Sequence, residues 1–320
     1  MHIPVLLDPI LDHLLALDRP VTRLIDGTVG AGGHSAALLE AGVEQVLGLD
    51  RDPTALKLAA ERLAPFGVRA QIVQASYAQM TVEAARIGWD AVDAILLDLG
   101  VSSMQLDTPA RGFAFRHEGP LDMRFDAGSP GTTAADLVNT LDEDELADLF
   151  YRYGEDPAGR KLARAVVRAR PYQTTRELAA VIEAAVPPPR PRARRKSPHQ
   201  STIHPATRVF QALRIAVNDE LNVLERTLPA AIDLLKPGGR LAVISFHSLE
   251  DRIAKTAFKL ASTDCICPPK VPVCVCGHRA SVRLITRKPL TATDEEITRN
   301  ARSRSAKLRI VEKLADGELV

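Results

Sequence analysis

The passage Leu24-Ile25-Asp26-Gly27-Thr28-Val29-Gly30-Ala31-Gly32-Gly33-His34 constrains the fold of this chain more than any other. A short apolar run ends on a carboxylate, turns through glycines and enters a helix-like stretch, Ser35 to Leu39. Glycines there permit positive φ and let backbone approach a ligand, beside a helix start whose free N–H groups point outward. The next strand-like run, Gln45-Val46-Leu47-Gly48-Leu49-Asp50, ends in a second acid. It lies about 24 residues after the first, where a carboxylate can accept from both hydroxyls of an adenosine ribose. Strand, glycine loop, helix, strand and acid together predict a doubly wound α/β sheet.

The glycine spacing chooses between ligands. A dinucleotide loop reads G-x-G-x-x-G and serves a pyrophosphate. Gly27, Gly30, Gly32 and Gly33 do not supply that frame, and the loop opens with Asp26. A carboxylate repels a pyrophosphate but attracts a cationic amino acid, so S-adenosylmethionine, with its ammonium and sulfonium, suits this loop better than NAD. The plain alternative is a strand-to-helix turn that binds nothing.

A second strand, Ile95 to Leu97, is continuously apolar, as a strand buried on both faces requires. It runs into Asp98-Leu99-Gly100-Val101-Ser102-Ser103, and the carboxyl ends of such strands hold the reacting groups of open α/β sheets. Amino methyltransferases usually carry an Asp or Asn, two prolines and an aromatic here. This chain keeps the acid and lacks the aromatic platform.

These motifs in combination resemble one family, ribosomal RNA small subunit methyltransferase H. The resemblance rests on Asp26-Gly27-Thr28, Gly32-Gly33-His34-Ser35, Asp50-Arg51-Asp52-Pro53 and Leu97-Asp98-Leu99-Gly100-Val101 with Gln105-Leu106-Asp107. It continues through Arg111-Gly112-Phe113, Gly119-Pro120-Leu121-Asp122-Met123-Arg124, His204-Pro205-Ala206-Thr207-Arg208, Ser245-Phe246-His247-Ser248 and Asn300-Ala301-Arg302-Ser303. The family methylates the exocyclic N4 of a cytosine in the decoding region of small-subunit (16S) rRNA. The resemblance therefore implies an α/β fold: a Rossmann-like S-adenosylmethionine-dependent methyltransferase sheet with an inserted helical domain. It implies S-adenosyl-L-methionine contacts at Gly32, Gly33, His34, Asp50, Tyr77, Asp98 and Gln105, catalysis by Asp98, and no metal in the site. The implied partner is 16S rRNA within a small ribosomal subunit or its precursor; a homodimer is left open. A non-catalytic assembly factor that only senses the cofactor remains the alternative.

Strand-like runs at 23–26, 45–50, 70–74 and 92–98 come at βα spacing, and the next begins only at Arg240, after the turn Lys236-Pro237-Gly238-Gly239. The expected division is 1–106 with 205–320 for the methyltransferase domain and 107–204 for a helical insertion. Thr140-x-x-Glu143 and Thr174-x-x-Glu177 read as capping boxes that open helices. Ala158 to Ala169 forms another helical stripe ended by Pro171. Pro205 starts a long helix with Phe210, Leu213, Val217, Leu221 and Leu224 on one face. Phe113, Phe115, Phe246 and His247 are candidates to stack on or read a flipped base, with core packing as the alternative for each phenylalanine. Arg208, off the apolar stripe, can face substrate.

With 41 basic and 40 acidic residues, net charge does not advertise RNA binding, so an RNA surface must come from clustering. The segment Pro187 to Pro198 supplies it, with Arg190, Arg192, Arg194, Arg195 and Lys196 among prolines, or else is a solvated linker. No apolar run approaches a membrane span, and the start lacks a signal peptide's basic region, which predicts a cytoplasmic protein. The four cysteines all lie between Cys265 and Cys276, paired as C-x-C. Reduced thiols, tetrathiolate zinc and, less fitting in a cytosol, disulfides are all open for them.

Overall fold

The computed structural model describes residues 4–186, 204–268 and 273–315. The basic segment Pro187 to Pro198 lies outside the described residues. The chain divides into two compact units: Met1–Gly100 with Leu221–Val320, and Val101–Glu220.

The first unit is built on one sheet. Its strands are β1 (Arg23–Asp26), β2 (Gln45–Asp50), β3 (Ala70–Gln74), β4 (Val92–Asp98), β5 (Leu235–Ser245), β6 (Val282–Leu284), β7 (Leu290–Thr291) and β8 (Lys307–Lys313). They lie in the order β3-β2-β1-β4-β5-β8-β6, with β7 also paired to β8. The first five run parallel, whereas β8 is antiparallel to β5, β6 and β7. Chain order reverses at β1, with β2 on one side and β4 on the other, so the carboxyl ends of these strands border a topological switch point, where open α/β sheets bind ligands.

Apolar side chains alternate between two cores. Ile25, Leu47, Ile95, Leu97, Leu241, Val243 and Val311 share one with Trp89, Leu228 and Phe258. Leu24, Val46, Ala94, Leu96, Ala242, Ile244, Leu308 and Ile310 share the other with Ile10, Leu14 and Leu38. Coverage on both faces explains why the strands read as unbroken apolar runs. The expected turn at 236–239 lies inside β5 as an irregularity: Val92 pairs with Leu235 but Ala94 with Arg240, and Gly238 takes a φ of +74°.

The second unit is helical around its own core of Phe113, Met123, Leu146, Phe150, Leu162, Val166, Tyr172, Leu178, Val209, Phe210 and Leu213. Two expectations need correction here. The box at Thr140 opens no helix. Thr140 ends the helix Ala134–Thr140 and donates its hydroxyl to Asp136 O (2.7 Å), while Asp142 caps the next helix, Glu143–Gly154, with Glu145 closing the box. Two overlapping box patterns compete, and the preceding helix occupies the threonine. The long helix from Pro205 is in fact two, Pro205–Asn218 and Glu220–Leu234, separated by Asp219 in the left-handed region at φ +54°. The unit boundary falls at this break, so Pro205–Asn218 clusters with the helical unit rather than with the sheet. The box at Thr174 and the start at Pro205 are as expected.

Segment 109–125, which carries two of the family-like motifs, is locked by backbone contact. A Cβ on Gly112, whose φ is +74°, would lie 2.2 Å from Pro120 O. Buried Asn218 donates to Met123 O and accepts from Phe125 N (2.8 and 2.9 Å), fixing Met123 at a φ of +63°.

Candidate active site

The glycine loop is organised by acids. Asp26 ends β1 and is 1% exposed; its carboxylate accepts from Thr28 N (3.2 Å) and Ser35 Oγ (2.7 Å). It thus ties the loop to the helix Gly33–Glu40, and its oxygens are engaged by the protein itself rather than left open to a cationic ligand. Asp50 ends β2 and accepts from Gly30 N and Asp52 N, both at 2.9 Å. A carboxylate has about four acceptor sites, so capacity for two ribose hydroxyls remains. Gly30 and Gly32 take φ of +53° and +76°. A Cβ on Gly33 would sit 2.9 Å from Pro4 Cγ, and one on Gly27 would sit 2.9 Å from Tyr77 Cβ. Tyr77, half-buried against the sheet core, therefore stands directly beside the loop.

Two acids on β4 have opposite environments. Asp93, fully buried toward the strand's start, accepts from Thr22 N and Oγ1, Arg23 N, Arg19 Nε and Lys236 Nζ. Burial alone would raise its pKa, but these donors outweigh it and hold the carboxyl at about 2. Asp98, at the carboxyl end, receives none of this. Its side chain is 24% exposed, yet Oδ1 is buried and has no hydrogen-bond partner among the described residues. Burial pushes this carboxyl up to about 6; His34 opposes the rise, while Asp26 and Glu250 add to it. The ordinary value near 4 that the sequence suggests for Asp98 is corrected accordingly. A buried acceptor without a donor is costly and marks a place where something else binds.

His34 is the neighbour of Asp98. Its Nε2 lies 2.9 Å from Val5 O, a carbonyl that can only accept, so Nε2 carries hydrogen. Nδ1 then faces Asp98 Oδ2 at 3.7 Å, too long for a hydrogen bond but within ion-pair range. At 7% exposure His34 reads as a group that positions Asp98. Burial also raises Asp26 and Asp50 to about 6 each. Three mutually repelling acids with raised pKa values at one sheet edge are the electrostatic signature of a functional site. No sequence pattern signalled that Thr28 is part of it: its hydroxyl accepts from Asp98 N at 2.6 Å, joining the loop to the end of β4.

The remaining candidates divide by unit. Gln105 belongs to the helical unit, where it is 5% exposed and closes a capping box with Ser102. Phe113 stacks on Phe125 (5.8 Å between centroids), and Phe115 packs on Phe210 and His204. Phe246 packs against the sheet core, and His247 caps the helix Ser248–Ala261 in a box with Glu250. Each of the four has a structural partner that accounts for it. Arg208 bonds Glu155 O at 3.2 Å on the surface.

Sheet order, the glycine loop with its two acids and the starved carboxylate on β4 define the protein as a Rossmann-like methyltransferase. Residues 1–314 match the MraW methylase family, and the chain belongs to that family. It is 51% identical to the ribosomal RNA small subunit methyltransferase H of Nitratidesulfovibrio vulgaris, over 99% of this chain and 87% of that one. It is 50% identical to the protein of the same name from Carboxydothermus hydrogenoformans, over 98% of both.

Proposed function

We propose that this enzyme transfers the methyl group of S-adenosylmethionine to the exocyclic N4 of a cytosine in the decoding region of 16S rRNA, within a small ribosomal subunit or its precursor. The names of its relatives support an rRNA substrate. The observation that carries the chemistry is Asp98, whose buried Oδ1 lacks a donor.

Cytosine N4 is a weak nucleophile because its lone pair is delocalised into the ring. S-adenosylmethionine, when bound, supplies a methyl on a sulfonium, so the departing group is a neutral thioether. Asp98 accepts a hydrogen bond from an N4–H, which localises the lone pair toward the methyl carbon. As the nitrogen–carbon bond forms and the carbon–sulfur bond breaks, the surplus proton passes from nitrogen to Asp98 and on to solvent. His34 steadies the other carboxylate oxygen. Asp50 holds the ribose hydroxyls, the Gly30–Gly33 backbone lies along the amino-acid portion, and Tyr77 lies along the adenine. By resemblance, Gln105 joins the cofactor contacts. The target base must leave its stack to reach a buried methyl.

Mass spectrometry of 16S rRNA from cells with and without the gene tests the assignment. A cytosine that loses a methyl on N4, and regains it when purified protein and S-adenosylmethionine are supplied, is the expected result. Unchanged rRNA with retained cofactor binding would favour a non-catalytic assembly factor.

A further inference from the structure

Residues 262–281 connect the helix Ser248–Ala261 to β6, and none of the described ones is buried. Ile266, Val273 and Val275 are 51%, 71% and 80% exposed. A segment that buries no apolar group has no hydrophobic reason to fold back on itself. It nevertheless returns to a fixed base, where Ser281 N bonds Ala261 O (2.8 Å), Ala280 N bonds Asp264 Oδ1 (3.3 Å) and His278 Nε2 meets Leu260 O (2.9 Å). At its far end all four cysteine sulfurs of the chain lie within 4.8 Å of one another.

We propose that Cys265, Cys267, Cys274 and Cys276 bind one zinc ion as a closed tetrathiolate. Zinc–sulfur bonds of about 2.3 Å place tetrahedral sulfurs about 3.8 Å apart. The Cys265–Cys274, Cys274–Cys276, Cys265–Cys276 and Cys267–Cys274 separations are 3.4, 3.5, 3.9 and 4.0 Å. Cys274 is thus close to all three other sulfurs. Disulfides would instead sort the four into two pairs with a sulfur–sulfur length of about 2.0 Å. Backbone amides are aimed at the sulfurs as well: Cys267 N at Cys265 Sγ and Val275 N at Cys267 Sγ, each at 3.4 Å. Such donors spread the negative charge of a tetrathiolate. Thiolates select a soft cation over magnesium or calcium. Binding releases the thiol protons to solvent and moves no electrons. With four protein ligands no position is left for water, so the ion is structural. It supplies the organising centre that the missing hydrophobic contacts do not.

The full chain, purified without a metal-affinity tag or chelator, is analysed for metals by plasma mass spectrometry. One zinc per chain is expected. Cobalt(II) added to chelator-stripped protein should give the thiolate charge-transfer and visible bands of a tetrahedral tetrathiolate. Cys274→Ser should abolish stoichiometric zinc while leaving the far-ultraviolet circular dichroism of the two units intact. If that variant is insoluble, metal content and the cobalt spectrum of the unaltered chain decide alone. Chain that holds less than about a tenth of an equivalent of zinc and gives no tetrathiolate cobalt spectrum overturns the proposal. So does iron in place of zinc, or two disulfides in the intact mass of protein kept under reducing conditions.

Discussion

Asp93 and Asp98 share a strand and an ordinary chemistry, and their surroundings alone separate them into a structural acid and a candidate reactive one. Asp98→Asn keeps size and a carbonyl acceptor but loses the charge. It should fold normally and lose turnover by roughly a hundredfold or more, measured at saturating S-adenosylmethionine; Asp98→Ala should lose more. Because burial lifts Asp98 to about 6, kcat of the unaltered enzyme should fall as pH drops through that value, and the residual activity of Asp98→Asn should lack this limb. Near-normal single turnover by Asp98→Ala would place the proton acceptor elsewhere. Asp50→Ala should weaken S-adenosylmethionine binding by about 1–3 kcal/mol in calorimetry, the usual loss for charge-assisted hydrogen bonds. Unchanged affinity would remove Asp50 from the site. The sequence makes Asp98 visible as an acid at a strand end, but not its orphaned oxygen, because Asp93 and Asp98 differ only in what the fold brings near them.

Elements were legible wherever one local signal stood alone. Thr174 and Pro205 announce their helices because no rival pattern overlaps them. Thr140 misleads because Asp142, two residues on, offers the same box with a stronger acceptor, and Asp219 is a break that apolar periodicity runs straight through. The corrected cap has a measurable consequence. Asp142→Ala should cost about 1 kcal/mol of stability in urea titration, and Thr140→Ala clearly less, since Thr140 caps nothing. Equal losses would return the helix start to the threonine. Residues held by contacts distant in sequence, such as Asn218 on Met123 and Phe125, give no local signal at all.

For the whole molecule, Asp26, Asp50 and Asp98 set a pH dependence of stability. Each has its pKa raised from 3.8 to about 6 on folding. Between these values the folded chain holds protons that the unfolded chain has lost, so stability falls as pH rises through the window and levels off above it. Asp93 acts oppositely and lower: its contribution is present above 3.8 and lost as pH falls through about 2. Ligand-free protein should therefore unfold at a lower urea midpoint at about pH 7 than at about pH 5, and Asp98→Asn should shrink that difference. An undiminished difference in the variant would mean that Asp98 is not strained by burial. RNA grip is separable from this chemistry. Replacing Arg192, Arg194, Arg195 and Lys196 with neutral residues should weaken binding to small-subunit particles and flatten its salt dependence, with cofactor affinity unchanged. An unmoved salt slope would make the segment a linker. No helix among the described residues is long and apolar enough to cross a membrane.

The placement of β8 bears on how the sheet is completed in time. It lies between β5 and β6, with Arg240 opposite Glu312 and Ser245 opposite Lys307. During synthesis β5 is made long before its neighbour, and until Lys307–Lys313 arrives it has a raw, apolar edge of the kind that pairs with other chains. The helix Ser248–Ala261 and the cysteine segment are both made within that interval. The nascent enzyme thus passes through a stage when most of its sheet can exist but cannot close, and its greatest exposure to aggregation falls there rather than at the start of folding.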